Sequence, residues 1–390
     1  MRKVVVAASC RTPIGRVPGS MSSMNETQML SSCFSEIANR NLFDVNKIDS
    51  AYVGCAFPSV RTNLCRVSLL DAGLPGAIPG TTIVKTCTSS MEAIAQGAYK
   101  IMAGDAEAVL IGGVESMSNS PYVLSYLKKI IKSTYRGQLP HYNSAIENIE
   151  EDDMQLIAEM IARNNKITRK DLDENAKRSH KRALFAKKNG FFSSEIQELS
   201  LIRDNENKLF KDDECIQDEI DSLAMTQEDP FYIQDGILTK LNSAPIADAA
   251  AAMVLMSDDM AKKEGIKPLA EIYRMAEIGV PREKTGYGTV EAINSLLAKN
   301  KFSSQDIDLW ECIEVPATQA ILVQRRLDLD PDKLNVNGGC IALGHPVGCT
   351  GLRISITLIF EMRRRQVELG IAAGSAGGGI GQAIMFRCLG

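Results

Sequence analysis

Cys87 is the first residue whose setting suggests chemistry. It lies in Val84-Lys85-Thr86-Cys87-Thr88-Ser89-Ser90-Met91, after the β-branched pair Ile83-Val84 and before an alanine-rich periodic segment, Met91 to Met102. The pattern predicts strand, tight turn and helix, with the thiol at the helix N-terminus. Exposed N–H groups there carry partial positive charge, which favours thiolate over thiol. A small buried core cysteine is the plain alternative. A partner for a reactive thiol stands far along the chain. Of three histidines, His141 lies in a polar stretch and His180 in a charged helical pattern, so both are expected to face solvent or to bond locally. His345 sits in Ile341-Ala342-Leu343-Gly344-His345-Pro346, where glycine allows close backbone approach and proline stiffens the turn. A cysteine and a histidine distant in sequence are the usual pair of a nucleophilic cysteine enzyme. Gly377 and Gly378 open a glycine-rich turn that lacks the GxxxxGK[ST] of a phosphate loop. Such glycines either let backbone N–H groups reach a substrate carbonyl oxygen or let a turn pack closely on a helix.

Strands and helices must hold these residues in place. Val4 to Ala8 is a wholly apolar run expected of a strand buried on both faces. A helix from Thr27 to Asn39, a strand from Ser50 to Val53, a helix from Asn63 to Ala72 and a strand from Thr82 to Lys85 follow. After the Cys87 helix comes the strand Ala108-Val109-Leu110-Ile111, which Gly112-Gly113 is expected to end. The alternation predicts an α/β protein with a largely parallel sheet covered by helices. From Ser118 to about Lys240 the character changes. Lys128, Lys129, Lys132 and Arg136 precede an acidic run, Glu147 to Asp153, and then charged helical patterns, Asp153–Ala162 and Arg169–Lys188. This reads as an insertion, lower in strand content, lying over the α/β core. Its basic residues read better as a solvated face than as an anion site. Alternation resumes with segments at Ala247–Leu255 and Ala270–Ile278, a helix at Thr289–Lys299, a strand at Ile307–Cys312 and a helix at Ala317–Leu327. Val336 onward then repeats the order seen from Val84 to Gly113: strand, glycine-rich turn, helix, strand, glycines. Two similar halves meeting pseudo-symmetrically would bring Cys87 close to the turns of the second half.

Composition narrows the class. With 390 residues, 24% charged side chains and a net charge of -4, the chain is long enough for two or three domains and gives no electrostatic reason to expect nucleic acid. The ten cysteines show neither CxxC nor another metal-ligand spacing, so no metal site is expected. Reduced thiols, and an apolar N-terminal run too short for a secretory signal, point to the cytoplasm. No stretch approaches 18 uninterrupted apolar residues, so no membrane span is expected.

The order and length of the motifs resemble the thiolases, which exchange acyl groups between coenzyme A and carbon. The resemblance runs through Arg11-Thr12-Pro13-Ile14-Gly15, Cys87 with Ser89 and Met91, and Gly112-Gly113-Val114-Glu115-Ser116-Met117-Ser118-Asn119. It continues through Asn335-Val336-Asn337-Gly338-Gly339, Ala342-Leu343-Gly344-His345-Pro346 and Gly377-Gly378-Gly379 with Gly381. It covers essentially the whole chain. The resemblance implies a thiolase fold: two βαβαβαββ halves in five α-β-α-β-α layers, with an inserted loop domain. Residues 1–118 and 248–268 would form the N-terminal half, 119–247 the loop domain that helps to bind coenzyme A, and 269–390 the C-terminal half. It further implies a homodimer or homotetramer, and acyl-CoA as substrate with no permanently bound cofactor. Cys87 would take the acyl group as a thioester, and His345 would remove its proton and help to hold the thioester oxygen of the second substrate.

The chain departs from that pattern at informative positions. The family's Asn-Glu-Ala-Phe motif reads Ile313-Glu314-Val315-Pro316 here, so Ile313 replaces the asparagine that holds an oxyanion-hole water. The second family cysteine, which moves the α-proton of the acetyl group, falls at Ser375. A serine hydroxyl is a far weaker acid than a thiol of pKa about 8.5. Asp153 replaces the histidine of a His-Met-Gly motif whose methionine is Met154, and Ala244 stands where a coenzyme-contacting serine is common. Acyl loading would therefore retain its groups, while carbon–carbon chemistry would have to draw on Glu314, Ser375 or the substrate. Two alternatives follow: acyl transfer to an activated carbon, an amine or a thiol, and a non-catalytic coenzyme A-binding subunit.

Overall fold

The computed structural model describes residues 2–59, 63–120, 154–203, 206–218, 222–231 and 233–389. Lys128, Lys129, Lys132, Arg136, His141, Asp153 and the acidic run that ends there lie outside the described residues. In chain order the first half holds β1 (Val4–Arg11), β2 (Gly15–Arg16), α1 (Glu26–Asn39), β3 (Ser50–Gly54), α2 (Leu64–Asp71), β4 (Gly80–Ile83), α3 (Ser89–Ala103) and β5 (Ala108–Ser116). Then come α4 (Met154–Asn164), α5 (Arg169–Lys188), β6 (Leu199–Arg203), β7 (Glu206–Phe210), α6 (Ser222–Gln227), β8 (Ala247–Ser257) and α7 (Asp258–Lys263). The second half holds β9 (Ala270–Gly279), α8 (Gly288–Asn300), β10 (Leu309–Cys312), α9 (Ala317–Arg326), α10 (Cys340–Leu343), α11 (Thr350–Arg365), β11 (Leu369–Ala376) and β12 (Ile380–Arg387).

Among the described residues the main sheet has ten strands in the order β10-β11-β12-β9-β1-β8-β5-β3-β4, with β2 beside β8. The order is symmetric about the β9–β1 junction: β1, β8, β5 and β3 match β9, β12, β11 and β10. Leu334, bridged in parallel to Trp310, takes the place that β4 holds beside β3. The sheet is mixed, not largely parallel. Only β3–β4, β3–β5 and β10–β11 run parallel, whereas the strands around the junction pair antiparallel. Hairpin-like returns at the end of each half cause this, and apolar runs buried on both faces look the same in either direction.

Successive residues of one strand point to opposite faces, so each strand feeds two cores. Val109 and Ile111 join a central core with Met91 and Ile94 of α3 and Leu352 and Ile356 of α11. Leu110 between them packs outward against Leu30 and Phe34 of α1. In the other half Leu309 and Phe386 face the central core, while Trp310 and Met385 pack with Ile293 and Leu296 of α8. The result is five layers, with α3 and α11 in the middle. β5 runs through Gly112 and Gly113 to Ser116, and β4 starts and ends two residues earlier than predicted. Flanking strands supply the ladder bonds, which overrides the weak strand preference of glycine.

Local signals set several element ends. Asn25 caps α1, accepting from Gln28 N–H at 2.9 Å while the Gln28 side chain accepts from Asn25 N–H at 3.0 Å. Glu195 and Asp213, both between β5 and β8, are held to β1 by buried charge. The Arg11 guanidinium donates to Glu195 at 2.7 Å and to Asp213 at 2.8 Å and 3.0 Å. His180, expected to be solvent-facing or locally bonded, is instead buried on α5, and its Nδ1 accepts from Gln217 N–H at 3.3 Å. Burial lowers its pKa to about 4, so it is neutral. Among the described residues no helix is long and apolar enough to cross a membrane.

Candidate active site

The Cys87 turn and the His345 loop hold pseudo-symmetric positions. Cys87 follows β4 and precedes α3; His345 follows the Leu334 bridge and precedes α11. Cys87 occupies a tight turn, Thr86–Thr88, in which Thr86 has φ of 45°. A non-glycine residue there costs about 1–3 kcal/mol, so the turn must be held from outside. Ser89 does this: its Oγ accepts from Lys85 N–H at 2.8 Å and donates to the Thr86 carbonyl at 2.7 Å. The two central helices then meet end to end. Ser90 Oγ at the start of α3 accepts from Leu352 N–H of α11 at 2.9 Å. A Cβ on Gly351 would stand 2.4 Å from Met91 Cγ, so only glycine allows this approach.

That junction brings His345 Nε2 to 3.4 Å from Cys87 Sγ, with both side chains buried. On the other side of the ring, Nδ1 lies 2.8 Å from Thr350 Oγ1. The backbone N–H of His345 donates to the Pro245 carbonyl at 2.8 Å. The thiolate expected from the helix end is not the resting form. Burial, then the neighbouring Cys340, push the Cys87 thiol from its ordinary 9.0 to about 12. That rise corresponds to roughly 4 kcal/mol against the thiolate, whereas a helix terminus supplies only about 0.3–1 kcal/mol. Burial, then the Arg353 charge, lower His345 to about 3. The resting pair is a neutral thiol facing a neutral imidazole.

The remaining residues singled out from sequence fall in distinct places. Ser375 is buried on β11, which runs beside the Thr86–Thr88 turn, and its Oγ accepts from the Gln319 side-chain amide. Gln319 Nε2 also donates to Thr289 Oγ1 at 3.1 Å. Ile313 is fully buried and presses on Gly374, an apolar wall that offers no hydrogen bond. Glu314 accepts from Ser179 Oγ at 2.8 Å, Asn335 Nδ2 at 3.3 Å, and Asn175 Nδ2 and Ile341 N–H at 3.4 Å, tying α5 to the histidine loop. Burial raises its pKa. Ala244 N–H donates to the Val315 carbonyl at 2.6 Å, and its neighbours bridge Pro316 and His345. Met154 opens α4 and lines a groove with Ile157, Ile161, Pro316 and Gln319. Gly377 and Gly378 form the β11–β12 turn. No atom lies within 4 Å of a Cβ built on either, and Gly378 has φ of +84°, so their backbone is open to a ligand.

Three residues of the site escaped the sequence reading as working parts. Glu115, the last residue but one of β5, accepts from Ala56 N–H and Gly348 N–H at 2.8 Å and from Phe57 N–H at 3.1 Å. It thereby fixes the histidine loop to the first half, and burial raises its pKa to about 7. In the sequence Glu115 lies past the glycines expected to end the strand, so nothing marked its carboxylate for burial. Thr350 and Gln319 carried no signal, because a polar residue near a helix start is common. Among the described residues no group of three or more candidate metal ligands comes together.

The family models for the thiolase N-terminal domain and the thiolase C-terminal domain match residues 4–259 and 266–388. The chain is 35% identical to a 3-ketoacyl-CoA thiolase of Bacillus subtilis, covering 99% of this chain and 100% of that one. It is 34% identical to an acetyl-CoA acetyltransferase of Cupriavidus necator, over 98% and 99% of the two chains. Among solved structures, the acetyl-CoA acetyltransferase of Syntrophomonas wolfei superposes with a TM-score of 0.94 at 29% identity over all of both chains. The human mitochondrial 3-ketoacyl-CoA thiolase superposes at 0.91 with 31% identity, covering 100% and 99%. The chain belongs to the thiolase family. Its fold is the thiolase fold and its class is that of the thiolase-type acyltransferases.

Proposed function

We propose that the protein takes an acyl group from acyl-CoA onto Cys87 and uses it to make or cleave a 3-ketoacyl carbon–carbon bond with coenzyme A. The observation that carries this is the 3.4 Å contact between Cys87 Sγ and His345 Nε2 at the meeting of two helix N-termini. In the loading step the Cys87 proton passes to Nε2 as sulfur attacks the thioester carbonyl. The carbon–sulfur bond to coenzyme A breaks, the departing thiolate takes the proton back from Nε2, and S-acyl-Cys87 and coenzyme A result. The open backbone at Gly377 and Gly378 is suited to hold a substrate oxygen. Residues 119–247, with Met154 and Ala244 near the site, would form the loop domain over the coenzyme, between the halves 1–118 with 248–268 and 269–390. Acyl-CoA enters as substrate, and no permanently bound cofactor is invoked. Ten unpaired cysteines fit a reducing cytoplasm. A homodimer or homotetramer is supported by β4, an edge strand of the sheet, with Val84 just past its end 60% exposed and Tyr99 on the adjoining α3 51% exposed.

Ile313 and Ser375 favour a second reading, acyl transfer to an activated carbon, an amine or a thiol that needs no enzymic α-proton base. Thiolysis of acetoacetyl-CoA by coenzyme A separates the two. Slow thiolysis is expected, with loss of one oxyanion contact costing about 100- to 1,000-fold. It should vanish in Cys87→Ala and rise in Ser375→Cys, where a thiol of pKa about 8.5 becomes available as proton carrier. Loading without any thiolysis, unrelieved by Ser375→Cys, contradicts the carbon–carbon reading and supports another acceptor.

A further inference from the structure

We propose that Thr350 fixes the tautomer of His345, holding the ring proton on Nδ1 so that Nε2 meets Cys87 as a bare base. The inference rests on Cys87 and His345 being the reacting pair. Thr350 is the first residue of α11, and its Oγ1 lies 2.8 Å from His345 Nδ1 and 2.8 Å from the Pro346 carbonyl oxygen. A hydroxyl has one hydrogen to give, and a carbonyl oxygen can only accept. Once that hydrogen goes back to Pro346, four residues earlier, Oγ1 can meet Nδ1 only with a lone pair. Nδ1 must then be the nitrogen that carries hydrogen. A neutral imidazole has a single N–H, so Nε2 is left with its lone pair toward the thiol at 3.4 Å.

The reverse arrangement wastes both contacts. A Thr350 hydroxyl donating to Nδ1 gives up its bond to Pro346 and puts an N–H on Nε2 against sulfur, a weak acceptor. That ring cannot take the Cys87 proton. The backbone on either side of the histidine is fixed independently: His345 N–H donates to Pro245 and Gly348 N–H to Glu115. The ring is thus pinned in position by its neighbours and in protonation by Thr350. Thr350 is a positioning residue, since it acts through His345 and touches no reacting atom.

The chain has three histidines, so their ring nitrogens can be read one by one in full-length protein carrying 15N-histidine. Long-range 1H–15N correlation, assigned by the signal missing in His345→Gln, should show His345 protonated on Nδ1. Thr350→Ser should keep that pattern. Thr350→Val, of equal size but without an acceptor, should move the proton to Nε2 or divide it between the nitrogens. Acyl loading should fall in step, by up to the ~10²–10⁴-fold that a general base contributes. Proton on Nε2 in the unsubstituted protein, or an unchanged tautomer in a folded Thr350→Val, overturns the proposal. Should the valine variant fail to fold, the unsubstituted protein and Thr350→Ser still decide it. A protein with Nδ1–H in place but no acyl loading would overturn the acyl-transfer reading and leave the tautomer assignment standing.

Discussion

A buried thiol and a buried imidazole in contact share their electrostatics, and at Cys87 and His345 burial dominates. With the thiol near 12 and the imidazole near 3, neither group changes charge between pH 5 and 9. Reactive thiolate arises only by proton transfer inside the pair, a step whose equilibrium does not depend on pH. The alkylation rate of Cys87 by iodoacetamide should therefore be flat over that range, and no thiolate absorbance should be lost on Cys87→Ala. In His345→Ala only free thiolate remains, and the rate should climb about tenfold per pH unit. A thiolate band at pH 7 would contradict the neutral pair. The approach of His345 to Cys87 was legible in the sequence from residue type and flanking glycine, proline and helix signals. Their protonation states were not. Those depend on how much low-dielectric protein surrounds them, and on Arg353 and Cys340, which tertiary packing brings near.

At the scale of elements, the site is a junction of helix ends, and its tolerance is set by small residues. Gly351 is the tightest point: a Cβ would meet Met91 Cγ at 2.4 Å and Met91 N at 3.0 Å. Gly351→Ala must push α11 from α3, at about 1–3 kcal/mol for overpacking. Thermal unfolding should report that loss. Acyl loading should fall further than stability alone explains, because Cys87 and His345 ride on the two displaced helix ends. Unchanged melting and unchanged loading together would contradict the junction. The helices themselves were readable: α5 runs over Arg169–Lys188 as its charge pattern predicts, and α1 begins one residue before the predicted start. Less readable were strand ends. β5 continues through two glycines because β3 and β8 pair with it on either side, and a partner strand leaves no mark on the sequence of the strand it supports.

The whole molecule is two copies of one pattern joined through β1 and β9, with an insertion between β5 and β8 where the second half has only the Gly377–Gly379 turn. That duplication was legible as a repeated order of strand, turn, helix and strand. Strand direction was not, because apolar runs such as Ala247–Ser257 fit a parallel or an antiparallel neighbour equally well. One end of the sheet is β4, immediately before the Cys87 turn, with exposed Val84 just past the strand and exposed Tyr99 on the adjoining α3. Pairing of that edge with a second copy would cover both side chains and brace the strained Thr86. Light scattering should find an oligomer that Val84→Glu splits, with acyl loading reduced in the separated chains. A monomer before substitution, or an oligomer indifferent to Val84→Glu, would contradict that use of the edge.

Acyl capture by Cys87 is the claim from which the others descend, and intact-protein mass after mixing with acetyl-CoA tests it most directly. The prediction is a gain of one acetyl group per chain, absent in Cys87→Ala and much slower in His345→Ala. No gain with acetyl-CoA or with longer acyl-CoAs, or a gain that survives Cys87→Ala, would contradict it.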